Sequence, residues 1–208
     1  MMAATAPVRV ERALSPEDAA RGDFHALLAR LLARAPDAAL LASLAAANEL
    51  PQGSEPRFAA AWRDLISAAG TTDERAAEDE YNALFTGLGK AAVTIYAGAY
   101  AGATAVEHPR VRIQRDLAAF GLAHRVPTEP EDHFAGLFDA MRVLAAGGAG
   151  RGPAALAEQR RFFESHLKPA AGGFFAALAA APQSNFYRRV AALGEAFVAL
   201  ESQSFQLD

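Results

Sequence analysis

An apolar stripe with helical spacing dominates the middle of this chain. It consists of Phe134, Leu137, Phe138, Met141 and Leu144, at positions i, i+3, i+4, i+7 and i+10. This spacing places all five side chains on one face of a helix that buries that face. Thr128 and Glu131 have the spacing of a capping box, and Pro130 suits a first helical turn, where its missing N–H has no partner to lose. We therefore predict that Thr128 is the N-cap of this helix.

Helical patterns extend over most of the chain, so the fold class is predicted to be all-α. Alanine- and leucine-rich runs favour helices, while β-branched clusters and strand alternation are nearly absent. The segment 93–96 has strand-like composition, but no second strand exists to pair with it, and we predict an ordered loop. We expect a single-domain bundle of about nine or ten helices over residues 15–208. A flexible tail at 1–14 precedes it, and the glycine-rich residues 145–152 are predicted to form a hinge.

Composition excludes several classes of function. The chain has no cysteine, which rules out disulfides, iron–sulfur ligation and thiol catalysis. No window approaches the ~18 apolar residues of a membrane span, and the N-terminus does not have the pattern of a signal peptide. We therefore expect a cytoplasmic protein without stable membrane association. The net charge of −4 argues against nucleic-acid binding and is compatible with a cationic partner.

The segment 129–133 places His133 beside three carboxylates, those of Glu129, Glu131 and Asp132. A helix cap does not require a histidine there. On the predicted helix, Glu129 and His133 share a face at i and i+4, which suits a metal-ligand pair or an acid–base pair. The alternative is a capped helix whose histidine is hydrogen-bonded at the edge of the core. Because no nucleophile or metal-binding motif accompanies the pair, we expect no enzyme, no metal and no resident cofactor. A small metal-binding or acid–base enzyme using Glu129, Asp132 and His133 remains the alternative hypothesis.

The acidic residues of the segment 129–132 have two candidate roles, capping the helix and binding a ligand. A helix N-terminus attracts anions, so a carboxylate there can be occupied by the helix itself. We expect Glu131 to serve the cap and Asp132 to be available to a ligand.

Five motifs occur in an order that resembles a known family. They are YxxLF (Tyr81, Leu84, Phe85), a tyrosine-bearing loop with Tyr96, EPxDH (Glu129, Pro130, Asp132, His133), FFxxHL at 162–167, and a final FY helix start (Phe186, Tyr187). Over residues 15–201 the chain resembles the TorD/DmsD/NarJ family of cytoplasmic chaperones for molybdenum-containing oxidoreductases. Two features differ from the family pattern. The loop keeps its aromatic residue but not the proline and serine, and Pro169-Ala170 stands where many members have tryptophan.

The resemblance implies a TorD-like helical domain that binds the twin-arginine signal peptide of an apo-molybdoenzyme. Such a chaperone holds its client back from export while the molybdenum cofactor is inserted, and it acts as a monomer or weak dimer. A twin-arginine leader is a cationic segment followed by an apolar one, so carboxylates beside aromatic residues suit it physically. The signal-peptide-binding residues that the resemblance implies are Tyr81, Leu84, Phe85, Tyr96, Asp132 and His133. We add Glu129 and Pro130 of the EPxDH motif to the predicted signal-peptide-binding site.

Overall fold

The computed structural model describes residues 14–86, 91–102, 109–122, 130–148 and 150–207. Within these ranges the regular structure is helical, as predicted. The helices are α1 (Pro16–Ala33), α2 (Ala38–Ala45), α3 (Pro56–Ala69), α4 (Glu74–Tyr81, continued by a π-helical turn Asn82–Thr86), α5 (Pro109–Ala119), α6 (Phe134–Ala146), α7 (Leu156–Phe162, a π-helical turn Phe163–Leu167, then Lys168–Ala180) and α8 (Phe186–Leu207). Except for Leu14, the predicted tail at 1–14 lies outside the described residues.

The predicted count of nine or ten helices is wrong, because the described residues form eight. The sequence predicts a seventh helix that Pro153 opens and a separate short helix with Phe174 and Leu178, but both stretches are joined in α7 through the π-helical turn Phe163–Leu167. Pro169, which lacks a backbone N–H, is the second residue after this turn. A proline interrupts α-helical hydrogen bonding, and a π-helical turn lets the helix continue past that interruption.

Side-chain caps start the first two helices, and the sequence predicts the first of them, Ser15 followed by Pro16. The Ser15 hydroxyl accepts a hydrogen bond from the Asp18 backbone N–H at 3.0 Å, and Pro16 is the first residue of α1. Asp37 accepts a bond from the Leu40 N–H at 2.8 Å and so caps α2. These bonds satisfy N–H groups that a helix leaves without an internal partner.

Helix α6 lies at the centre of the packing. It runs along α1, while α8 packs against α3 and α7. All five residues of its predicted stripe are buried, and the Phe134 ring stacks on Phe174 of α7 with centroids 4.1 Å apart. The stripe therefore does what its spacing predicts, and it fixes the start of α6 against the core.

A buried polar network ties α1 to α7 and α8. Arg21 donates to both carboxylate oxygens of Glu201, with Nε–Oε1 at 2.7 Å and Nη2–Oε2 at 2.8 Å. His25 Nε2 lies 3.1 Å from Glu201 Oε2, and Arg21 also donates to Gln159 Oε1 at 3.0 Å. The bidentate geometry orients α8 on α1 as well as holding it there.

The glycine-rich segment after α6 is a hydrogen-bonded turn. Gly148 and Arg151 exchange two backbone bonds of 2.9 and 3.1 Å, and the Ala154 N–H donates to the Leu144 carbonyl at 2.8 Å. Gly147 has φ +80°, a conformation that favours glycine, and a Cβ there would collide with the Arg151 carbonyl. Ala149 lies outside the described residues, and opening of this segment as a hinge stays a prediction.

In the described ranges, no helix is both long enough and apolar enough to cross a bilayer.

Candidate functional site

The loop 91–102 connects the end of α4 to the start of α6 through backbone hydrogen bonds. Its Val93 N–H donates to the Leu84 carbonyl at 2.9 Å, and its Ile95 carbonyl accepts from the Phe134 N–H at 3.1 Å. The Ala97 N–H donates to the Asp132 carbonyl at 2.8 Å. Segment 93–96 is therefore an ordered loop, as predicted, with one isolated bridge from Tyr96 to His133.

Helix α6 begins later than the sequence predicts. Its first residue is Phe134, and His133 is the N-cap, with Nδ1 accepting from the Ala135 N–H at 3.1 Å. The predicted capping box and the placement of Pro130 in a first helical turn are wrong. The reason is that the backbone on both sides of His133 is bonded to the loop: the Asp132 carbonyl accepts from Ala97, and the Phe134 N–H donates to Ile95. These bonds keep His133 extended, at φ −65° and ψ 129°.

This later start also bears on the metal or acid–base interpretation. His133 is the N-cap of α6 and precedes its first helical residue, whereas Glu129 and Thr128 lie outside the described residues. The ring of His133 is buried and its Nδ1 is engaged in the cap. Among the residues that the structure describes, no group of three or more histidine and acidic side chains is arranged to hold a metal ion.

Asp132 is buried and already engaged, contrary to the expectation that its carboxylate is available. Its side chain is only 6% exposed, and its Oδ1 accepts from Arg110 Nε at 3.0 Å. Its Oδ2 accepts from the Gly98 backbone N–H at 3.1 Å. A buried carboxylate needs such partners, because burial without them is costly. The carboxylate thus joins the loop to the first turn of α5.

Tyr96 forms the outer surface of this arrangement. It is one of the few large hydrophobic residues left exposed among the described residues, at 36%. Its ring meets the buried ring of His133 edge-on, with centroids 5.5 Å apart. We call Tyr96, Gly98, Arg110, Asp132 and His133 the Asp132 site. It presents an exposed aromatic ring next to a carboxylate that holds a guanidinium.

The YxxLF residues form a second cluster against α8. The rings of Tyr81 and Phe85 lie 5.0 Å apart, and they pack on Tyr187 at 5.8 and 5.4 Å. The Tyr81 hydroxyl donates to the Leu32 carbonyl at 3.1 Å. Leu84 is fully buried, whereas Tyr81 and Phe85 are half-buried. The structure therefore brings Tyr96, Asp132 and His133 together and groups Tyr81, Leu84 and Phe85 in a second cluster. Loop 91–102 links the two groups, because its Val93 N–H bonds to the Leu84 carbonyl and its Ile95 carbonyl to the Phe134 N–H.

Sequence reasoning missed two residues of the Asp132 site. Arg110 is the second residue of α5 and carries no local signal, because its partner lies 22 positions away. Gly98 is required by close approach, since a Cβ there would lie 2.8 Å from Asp132 Oδ2. A glycine two residues after the aromatic residue of an ordered loop was the available signal for the second.

His166 of the FFxxHL motif has a structural partner away from this site. Its Nε2 lies 2.7 Å from Asp116 Oδ2, which links α7 to α5. Burial lowers the pKa of His166 below its ordinary value, and the hydrogen bond to Asp116 opposes that shift only in part. The motif therefore contributes to packing in this structure.

Comparison with known families gives one match. The family model described as the nitrate reductase delta subunit matches residues 52–176, from before α3 into the last segment of α7. The matched range contains the YxxLF cluster, loop 91–102 and the start of α6. No curated protein matches the chain.

Proposed function

The chain belongs to the nitrate reductase delta subunit family, a family of maturation chaperones for molybdoenzymes, and on this premise we propose that it binds the twin-arginine signal peptide of an apo-molybdoenzyme. Membership confirms the resemblance to the TorD/DmsD/NarJ chaperones. The proposal includes a TorD-like fold, no catalytic activity, and action in the cytoplasm on an unexported client. It also includes a monomeric or weakly dimeric state.

One observation carries the proposal: Asp132 already accepts a hydrogen bond from a guanidinium beside an exposed aromatic ring. Arg110 provides that guanidinium at 3.0 Å, and the Gly98 N–H fixes the other carboxylate oxygen. Guanidinium and carboxylate groups match in charge and in geometry. A twin-arginine leader brings two guanidinium groups, and the exposed ring of Tyr96 offers an apolar face beside them.

We propose that the apolar part of the leader follows loop 91–102 toward the second cluster. Tyr81 and Phe85 are half-buried there, so part of each ring is accessible. Leu84 is fully buried and would support this surface from beneath without touching the peptide. The net charge of −4 favours the approach of a cationic segment.

The remaining residues of EPxDH have positioning roles in this proposal. The Pro130 carbonyl accepts from the His133 N–H at 3.1 Å, which shapes the turn before α6. His133 caps the helix and supports the ring of Tyr96. Glu129 is proposed as a second carboxylate for the paired arginines.

Calorimetric titration with a synthetic leader tests this function. The leader is taken from a molybdoenzyme of the same host and titrated at low and high salt. We expect micromolar or tighter binding that weakens with salt, and a loss of about tenfold for both Asp132→Asn and Tyr96→Ala.

The matched control is Asp139→Asn, in helix α6. The Asp139 carboxylate also accepts a hydrogen bond from an arginine, Arg142 Nε at 2.6 Å. Its side chain is 52% exposed, however, whereas that of Asp132 is buried. This variant loses the same charge and should bind as the wild type does. Equal weakening in both asparagine variants, or no binding by any of these proteins, would contradict the proposed function.

A further inference from the structure

We propose that Arg110 is an internal competitor that determines the specificity of the Asp132 site for arginine. In the free protein it occupies the guanidinium position on Asp132, and an arginine of the bound peptide takes that position. This inference rests on the proposed function and identifies the chemical group that the same site selects. The ligand class is a peptide carrying an accessible guanidinium.

The geometry of the pair makes Arg110 the exchangeable partner. Its side chain is 45% exposed, whereas that of Asp132 is 6% exposed. Its Nε donates to Asp132 Oδ1 at 3.0 Å. Asp132 is held independently by the Gly98 N–H and by its own carbonyl, which accepts from Ala97. The carboxylate therefore stays in place when the guanidinium changes.

Comparison with the other ion pairs sets this one apart. Arg21 and Glu201 form a bidentate pair with both side chains sheltered, at 12% and 2% exposure. Arg57 and Glu195 are both open to solvent, at 66% and 52%. Among the ion pairs between described residues, a buried carboxylate with a half-exposed arginine occurs at Arg110 and Asp132. The difference in exposure between Arg110 and Asp132 suits exchange of the arginine. A pair such as Arg21–Glu201 is too sheltered from solvent to exchange its arginine, and a carboxylate as exposed as that of Glu195 gains little stability from any partner.

Burial of the carboxylate explains the preference for arginine. Asp132 without a cation would be a buried uncompensated charge, so some partner must be present in both states. A ligand must therefore outcompete a guanidinium that is already tethered. The compact ammonium of lysine is more strongly hydrated and lacks the planar fork of arginine, so it competes poorly.

Chemical rescue tests whether the site accepts a guanidinium from outside. The Arg110→Ala protein is heated with increasing ethylguanidinium, and its unfolding temperature is compared with that of wild type and of Arg110→Ala/Asp132→Asn. We expect ethylguanidinium to raise the unfolding temperature of Arg110→Ala more than it raises that of either other protein. Ethylammonium should raise the unfolding temperature of Arg110→Ala less than ethylguanidinium does. Equal responses of the three proteins would overturn the inference. Arg110→Gln provides a second variant if the alanine protein does not fold.

Leader titration then separates this inference from the proposed function. We expect Arg110→Ala to bind the synthetic leader about tenfold more tightly than wild type, because no tethered competitor remains. Arg142→Ala, which removes the same charge from the exposed pair on α6, should leave the affinity unchanged. Leader binding by wild type without a gain in Arg110→Ala would overturn the competitor role alone. Ethylguanidinium rescue without leader binding by any variant would overturn the proposed function and leave the guanidinium site standing.

Discussion

At the scale of single residues, Glu201 is the most constrained charge among the described residues. Burial opposes its ionisation, but the hydrogen bonds from Arg21 and His25 outweigh it and lower the pKa of Glu201 to about 2. Burial also lowers the pKa of His25, and the nearby Glu201 compensates only in part. Both groups therefore release protons more readily in the folded protein than in the unfolded chain.

Stability should consequently fall as the solution is acidified. The contribution of His25 is present above the ordinary pKa of 6.5 and is lost as the pH falls below it. The contribution of Glu201 is present above 4.5 and is lost as the pH falls toward about 2. We expect urea denaturation to give a free energy of unfolding that decreases from neutral to acidic pH.

The variant Glu201→Gln isolates the second part of this pH dependence. It should lower stability at neutral pH by about 3 kcal/mol, because Arg21 loses its bidentate carboxylate partner and keeps only the longer carboxylate contact, to Asp18 at 3.3 Å. Below pH 4.5, the ordinary value for this carboxyl group, it should show a weaker dependence than wild type. Parallel stability profiles for the two proteins over that range would refute this assignment.

Glu80 is a second residue whose effect is local. From α4 its carboxylate accepts from the backbone N–H groups of Asn185, Phe186 and Tyr187, at 2.7, 3.0 and 2.8 Å. A distant side chain thus caps α8. The sequence predicts Ser184 or Asn185 as that cap, and this prediction is wrong because Glu80 binds the N–H groups in their place.

Removal of this cap should destabilise the protein. We expect Glu80→Ala to lower the free energy of unfolding by about 1–3 kcal/mol, since three N–H groups lose their acceptor. Glu78→Ala, an exposed change on the same helix, should stay within about 0.5 kcal/mol of wild type. Chemical denaturation of the two variants compares them directly, and similar losses would show that the cap contributes nothing.

At the scale of elements, the contact between α7 and α8 depends on a glycine. A Cβ at Gly194 of α8 would lie inside contact distance of the Phe175 ring, whereas one at Gly172 of α7 would meet nothing within 4 Å. We expect Gly194→Ala to destabilise the protein by about 1–3 kcal/mol through overpacking. Gly172→Ala should stabilise it by up to about 1 kcal/mol, because alanine favours the helix. Thermal unfolding would distinguish the two, and a stable Gly194→Ala protein would show that the contact adapts.

The start of α6 shows where prediction from local sequence stops. Periodicity correctly identified the buried face from Phe134 to Leu144. The capping signals before it were overridden, because loop 91–102 takes the backbone groups of Asp132 and Phe134. Capping rules consider neighbours along the chain, whereas these bonds join residues more than thirty positions apart in sequence. The same limit hid Arg110 as the partner of Asp132.

At the scale of the whole molecule, the all-α class followed from composition and spacing, and the family followed from the order of five motifs. The helix count was wrong, because the π-helical turn in α7 joins two stretches that were expected to be separate helices. The network of Arg21, His25 and Glu201 was also not predicted from the sequence, since most of the chain separates Glu201 from the other two residues. Local patterns therefore predict elements and faces, while the partners of buried charges depend on the tertiary fold.

Site-specific photocrosslinking in cells of the natural host tests the central claim most directly. A photoreactive phenylalanine replaces Tyr96, which is 36% exposed at the Asp132 site, and Val111, which is 50% exposed on α5, serves as the control position. Mass spectrometry then identifies the partner and the attached residues. The account predicts that position 96 crosslinks to the leader of an apo-molybdoenzyme and that position 111 does so much less. Crosslinks from position 96 to proteins other than a molybdoenzyme, or to a molybdoenzyme equally from both positions, would contradict it.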